Sequence, residues 1–181
     1  MLVALLRPLG ALLLAGGLLA KCNRDDLAPT PVVYKGPLLE TENEVMLISD
    51  SARLQIRLTA PLEQLFENSD RLWPKGLNIT FYNKPGTEVI NTLQARWGRY
   101  DANRQLYIMR GDVRVNNVPQ QQKLFTEEAF YNRAKQKIYT QKSMYVRVQT
   151  PTDTLRGHGL TANQDFSRYT ILEPIGTSQG L

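Results

Sequence analysis

After residue 50, apolar and polar side chains alternate along most of this chain. Ala52, Leu54, Ile56, Leu58 and Ala60 take every second position, against Arg53, Gln55, Arg57 and Thr59. A period of two sends successive side chains to opposite faces, which describes a strand with one buried face. The pattern returns with Leu77, Ile79 and Phe81, with Leu93, Ala95 and Trp97, with Leu106 and Ile108, with Val113 and Val115, and with Met144, Val146 and Val148. Turn-forming clusters separate the runs: Pro74-Lys75-Gly76, Asn83-Lys84-Pro85-Gly86, Asp101-Ala102-Asn103, Asn116-Asn117-Val118-Pro119 and Gly157-His158-Gly159. Many short strands at this spacing predict an all-β fold. Only two windows, 60–69 and 126–137, have helical character. In the second, Phe125, Ala129 and Tyr131 share strand parity, so it reads as a strand running into a turn at Asn132-Arg133-Ala134.

The strands also repeat. Tyr100-Asp101 recurs as Tyr131-Asn132, Leu106-Tyr107 as Ile138-Tyr139, and Val113-Arg114-Val115 as Val146-Arg147-Val148. The step grows by one residue at each pair, as small turn insertions between equivalent strand pairs would produce. A weaker copy runs from Arg53 to Tyr82 and a truncated one begins at Leu155. A repeated strand pair that exposes an apolar face predicts stacking, each unit burying its neighbour's face. A plain β-sandwich is the alternative.

The first twenty residues follow another rule. Met1 to Ala20 is apolar apart from Arg7-Pro8, and the uninterrupted stretch Leu9 to Ala20 is shorter than the ~20 residues of a bilayer-spanning helix. Its length fits the apolar region of a signal peptide. Leu19-Ala20-Lys21-Cys22 resembles a lipobox, which makes Cys22, the only cysteine, a candidate lipidation site. Lys21 stands where a small residue is usual, and so supports the other reading, an uncleaved anchor with Arg7 reaching the cytoplasmic headgroups. Either way, residues from 23 onward face away from the cytoplasm. Residues 1–21 are thus read as signal peptide or signal anchor, 22–37 as a proline-rich tether, 38–173 as the folded domain and 174–181 as a tail.

Charge and candidate chemistry narrow the class. Setting aside Arg7 and Lys21 leaves 20 basic residues against 17 acidic, spread singly, which argues against a nucleic-acid partner. One cysteine permits neither an internal disulfide nor a thiolate metal site. The single histidine, His158, lies between glycines and reads as an exposed turn residue. Glu127 and Glu128 are adjacent, so a strand points them to opposite faces and they cannot work as a carboxylate pair. No nucleophile elbow, phosphate loop or metal-ligand spacing is present. The expectation is a binding protein that is not an enzyme and needs no metal or cofactor.

The ordered set Leu93-x-Ala95-x-Trp97, Gly111-x-Val113-x-Val115, Leu124-x-Thr126, Tyr131, Ile138-Tyr139, Val146-x-Val148 and Gly157-x-Gly159-Leu160 resembles the LptC family of lipopolysaccharide export, itself related in fold to LptA/OstA proteins. The likeness spans approximately Val45 to Ile171. Ala129, where relatives more often carry a larger apolar residue, and the lipobox cysteine depart from the pattern. The resemblance implies a twisted, incompletely closed β-jellyroll of antiparallel strand pairs behind an N-terminal membrane anchor, facing the periplasm. It implies as partners lipopolysaccharide, an inner-membrane ABC transporter and an LptA-like periplasmic bridge protein. On this reading the groove is lined by Leu54, Ile56, Leu58, Leu77, Ile79, Leu93 and Ala95, then by Trp97, Ile108, Val113, Val115, Ile138, Val146 and Val148. Acyl chains there would gain ~0.8 kcal/mol per buried CH₂, although plain core packing accounts for the same residues. The segment with Asp165, Phe166, Arg168, Tyr169 and Ile171 is expected to form a last strand whose outer edge receives the bridge protein. The alternative is an envelope lipoprotein with a closed core that acts as a protein-protein adaptor.

Overall fold

A computed structural model describes residues 34–175, and every regular element in it is a strand. In chain order these are β1 (Leu39–Asp50), β2 (Arg53–Leu65), β3 (Arg71–Trp73), β4 (Leu77–Tyr82), β5 (Val89–Ala95), β6 (Trp97–Asp101), β7 (Leu106–Asn117), β8 (Gln122–Asn132), β9 (Lys137–Tyr139), β10 (Tyr145–Gln149), β11 (Thr154–Asn163) and β12 (Tyr169–Ile175). The helix-like window at 60–69 is the end of β2 and the turn after it. All pairings are antiparallel.

Long and short strands divide the work. On one side β2 pairs with β4 and then β3; β7 pairs with β5 and β6; β8 with β10 and β9; and β11 with β10 and β9. Each long strand therefore runs through two sheets. The first sheet holds β4, β5 and β10, the second holds β3, β6 and β9. Phe81 of β4 and Tyr131, in the second-sheet half of β8, meet edge to face at 5.5 Å between the two. The family resemblance implies an incompletely closed jellyroll. Pairing instead closes β2, β4, β5, β7, β6 and β3 into a barrel-like ring, and β8, β10, β11 and β9 into a smaller one. Among the described residues, β1 and β12 each pair on one side only, with β2 and β11.

The long strands bend where they pass from one sheet to the other, and the bends have local causes. Asn43 of β1 has φ 53° and faces the gap left by Pro61 of β2, which has no N–H to lend to a ladder. Gly111 and Asp112 of β7 have φ 76° and 50°, and there the β7–β8 register shifts. In β11 the same job falls to Gly159, φ 68°, a conformation glycine adopts without steric cost. Inward parity changes at most of these bends: β8 buries Leu124 and Thr126 but then Ala129 and Tyr131, and β11 buries Gly157 and then Leu160 and Ala162.

The repeats are visible in the turns. Ser69, Gln105, Gln136 and Phe166 each end a turn in which their N–H donates to the carbonyl three residues back, and each has φ between 50° and 66°. Successive turns are joined as well, Arg133 N–H donating to Gln105 O and Gln164 N–H to Gln136 O. The stacking expected from the sequence is thus a stacking of hairpins. Gly157-His158-Gly159, read as a turn, lies inside β11, because the glycines serve a bend and a close strand contact.

Candidate functional site

The inward faces of the two sheets form one continuous apolar cluster. Of the residues expected to line a groove, Ile56, Leu58, Leu77, Ile79, Leu93, Ala95, Val113, Val115, Ile138, Val146 and Val148 are buried in it. Leu54 is half-buried at the start of β2. Trp97 and Ile108 lie elsewhere. The chain bends at Arg96 between β5 and β6, so the alternation does not continue, and Gly98 rather than Trp97 is buried. Trp97 lies outside the cluster beneath the Arg110 guanidinium, 5.5 Å from its ring. In β7, Tyr107 and Met109 share the inward parity of Val113 and Val115, which turns Ile108 to the outer face.

Sequence reasoning missed several interior residues. Trp73, Tyr107, Met109, Leu124, Leu160 and Ala162 belong to the cluster. Tyr107 reads as the polar partner of Leu106 and Ile108, yet its ring stacks on Tyr131 at 5.7 Å inside. Burial pushes the Tyr131 hydroxyl up to about 12, with the neighbouring Tyr107 adding to it.

The turn between β11 and β12 closes the side of the domain opposite the bends. Asn91 Nδ2 of β5 donates to Gln164 O at 2.7 Å, Asn117 Nδ2 of β7 to Asp165 O at 2.9 Å, and the Tyr131 hydroxyl of β8 to Gln164 Oε1 at 2.6 Å. Phe166 is driven inward, 1 % exposed, and stacks on Tyr169 at 5.4 Å. It holds a φ of 55°, uncommon for a bulky side chain. These contacts pin the turn to the first sheet and plug the interior with a ring. Asn91 Oδ1 and Gln122 Oε1, near this closure, are buried without a hydrogen-bond partner. The segment expected to be one edge strand is therefore two things. Asp165, Phe166 and Arg168 belong to the closing turn, where Arg168 O accepts from Asn163 N–H. Tyr169 and Ile171 open β12, paired with Ala162 and Leu160 and packed on the core.

At the two unpaired edges, β1 leaves Leu39, Val45 and Leu47 exposed, and β12 leaves Leu172 and Ile175 exposed. Glu44 of β1 and Glu63 of β2 form a buried acidic pair, 7 % and 5 % exposed. Trp73 Nε1 donates to Glu44 at 2.7 Å, and Arg71 bonds Glu63 while standing 3.9 Å from Glu44. Burial raises the Glu44 carboxyl above its ordinary value and the nearby Glu63 raises it further, against the Trp73 hydrogen bond and the Arg71 charge. Glu127 accepts from Asp112 N–H on the surface, whereas Glu128 pairs with Arg110 and accepts from Gln141. His158 sits beside the Tyr145 ring. Among the described residues, no three acidic, histidine or cysteine side chains cluster as metal ligands, and no helix is long and apolar enough to cross a membrane. The apolar segment 1–20, Cys22 and the tail from 176 lie outside the described residues.

A family model described as lipopolysaccharide-assembly, LptC-related, matches residues 20–178. No curated protein matches the chain.

Proposed function

From the membership of this chain in the LptC-related family of lipopolysaccharide assembly, which gives it a role in lipopolysaccharide transport, we propose that it is a non-enzymatic lipid-transfer component anchored in the inner membrane and facing the periplasm. It accepts lipopolysaccharide from an inner-membrane ABC transporter, holds the acyl chains between its two sheets, and passes them to a periplasmic bridge protein. The observation that carries this reading is the continuous apolar interior, from Ile56 and Leu58 on β2 through Leu93 and Val115 to Val146 and Val148 on β10. It crosses the domain from the β1 side to the β12 side, as a path for acyl chains requires.

In the closed form that interior is filled by its own side chains. Admission of lipid therefore requires the turn Asn163–Phe166 to release. Five polar contacts hold it, from Asn91, Asn117, Tyr131, Gln136 and Lys137, together with the buried Phe166 ring. The edges of β1 and β12, with exposed leucines and isoleucine, are the surfaces offered to partners for strand addition. The filled core favours a second reading, an anchored adaptor whose interior never holds lipid.

A photo-crosslinker in place of Ala95, on the inward face, separates the two. We expect it to capture the lipid A portion of lipopolysaccharide, while the same probe at exposed Arg96 captures little. Equal labelling at both positions, or none at either, would leave the adaptor reading.

A further inference from the structure

The outer face of the first sheet is unlike the rest of the surface. Strand register places Asn78, Gln94, Arg114, Phe125, Arg147 and Arg156 in one row across β4, β5, β7, β8, β10 and β11. The adjacent row is Arg57, Thr80, Thr92, Asn116, Lys123 and Gln149, from β2 through β10. Five of these positions are basic and none is acidic. Ion pairing is distributed in the opposite sense. Arg71, Arg99, Arg104 and Arg110, on the second sheet and its turns, each have a carboxylate within 4 Å, whereas on the first sheet's outer face only Arg114 is paired, with Asp112 at its margin. Among the described ion pairs, Arg57, Lys123, Arg147 and Arg156 have no partner. The modest positive excess of the chain thus has a location.

Between these cations stand amides and hydroxyls. Asn78, Thr80, Thr92, Gln94, Asn116 and Lys123 line a shallow cleft of about 480 Å³. It shares Asn78, Gln94 and Arg114 with a neighbouring cleft of about 280 Å³, to which Lys75, Arg96 and the carboxylate of Asp112 contribute. The Phe125 ring forms part of the floor and carries the Arg147 guanidinium 4.5 Å above it, which holds that cation over the sheet. Unpaired cations call for an anion. Rows of Asn, Gln and Thr, spaced by the strand separation of ~4.8 Å, offer donors and acceptors to a chain of hydroxyls. A bilayer surface would use the charge but not the amide ladder.

We propose that this outer face binds a phosphorylated saccharide, with the unpaired Lys123 and Arg147 at the phosphates and Thr92, Gln94 and Asn116 at the sugar hydroxyls. The site is separate from the apolar interior and stands whether or not that interior holds lipid. The saccharide is either the headgroup of a lipopolysaccharide carried by the same molecule or a free glycan.

The test uses the full chain in detergent, titrated calorimetrically with the deacylated, phosphorylated core saccharide of lipopolysaccharide, with its dephosphorylated form, and with inorganic phosphate. The phosphorylated saccharide should bind, more tightly than either control. Lys123→Glu with Arg147→Glu should weaken it about tenfold or more, and Asn116→Ala, which changes no charge, about fivefold, both with unchanged thermal stability. If intact lipopolysaccharide blocks the free saccharide, its headgroup occupies this face; if both bind together, the glycan is free. Saccharide binding no tighter than phosphate, or unaffected by both variants, overturns the proposal. Saccharide binding without crosslinking at Ala95 would overturn the transfer reading alone, and crosslinking without saccharide binding would overturn this one alone.

Discussion

At the scale of single residues, the Glu44–Glu63 pair combines high chemical cost with a clear signature. Two carboxylates this buried share one partly exposed guanidinium, that of Arg71, so ionising both is unfavourable and Glu44 titrates above its ordinary value of 4.5. A carboxyl whose folded value is raised contributes most below the unfolded value, and that contribution is lost as pH rises through the folded one. Stability should therefore fall as pH climbs from about 4.5. Glu44→Gln keeps an acceptor for the Trp73 N–H and removes the charge. Thermal unfolding between pH 4 and 8 should show that decline in the wild type and a flatter profile in the variant. Parallel profiles would show that Glu44 does not titrate in this range. Trp97 and Ile108 teach a second lesson at this scale. Their apolar character made them interior candidates, but a bend at Arg96 and the inward parity of Tyr107 and Met109 put both outside.

At the scale of elements, β12 is held by a close backbone approach. A Cβ at Gly157 would lie 2.4 Å from both Glu173 O and Ile171 Cγ2, so β12 packs against bare backbone. Gly157→Ala must push β12 away, at a cost of about 1–3 kcal/mol typical of overpacking. Hydrogen exchange should locate the damage: amides of Ile171, Leu172 and Glu173 lose protection while those of β7 and β8 keep theirs. Loss spread evenly over the domain would mean that β12 is part of the common core. The hairpin turns have the opposite character. Ser69, Gln105 and Gln136 repeat one left-handed geometry without glycine, so their shape is maintained by the hairpins they join.

At the scale of the whole molecule, the turn Asn163–Phe166 covers one side of the apolar interior. Asn117→Ala removes the donor to Asp165 O, which should cost about 1–2 kcal/mol and speed the loading of lipid measured by crosslinking at Ala95. A lower melting temperature with an unchanged loading rate would assign the turn a purely structural role. The seal joins β5 and β7 of one sheet to the loop beyond β11, contacts 73 and 48 residues apart in sequence.

The sequence by itself determined the strand character of the chain, most strand positions, and a hairpin repeat with drifting step. Period-two alternation and turn chemistry are local, and Leu54 to Ala60 or Val146 to Val148 need no distant partner to declare a buried face. The ordered apolar pairs also carried the family. What lay beyond local pattern was where a strand changes sheets. Pro61, Gly111 and Gly159 are visible as breaks, but whether a break ends a strand, as a turn does, or bends it, as in β11, depends on which strands lie alongside. That choice set the inward parity of β7 and β8, placed Phe166 as a plug instead of an edge residue, and gathered unpaired cations scattered from Arg57 to Arg156 onto one face. Only the tertiary structure decided these, because each follows from pairing between segments far apart in the chain.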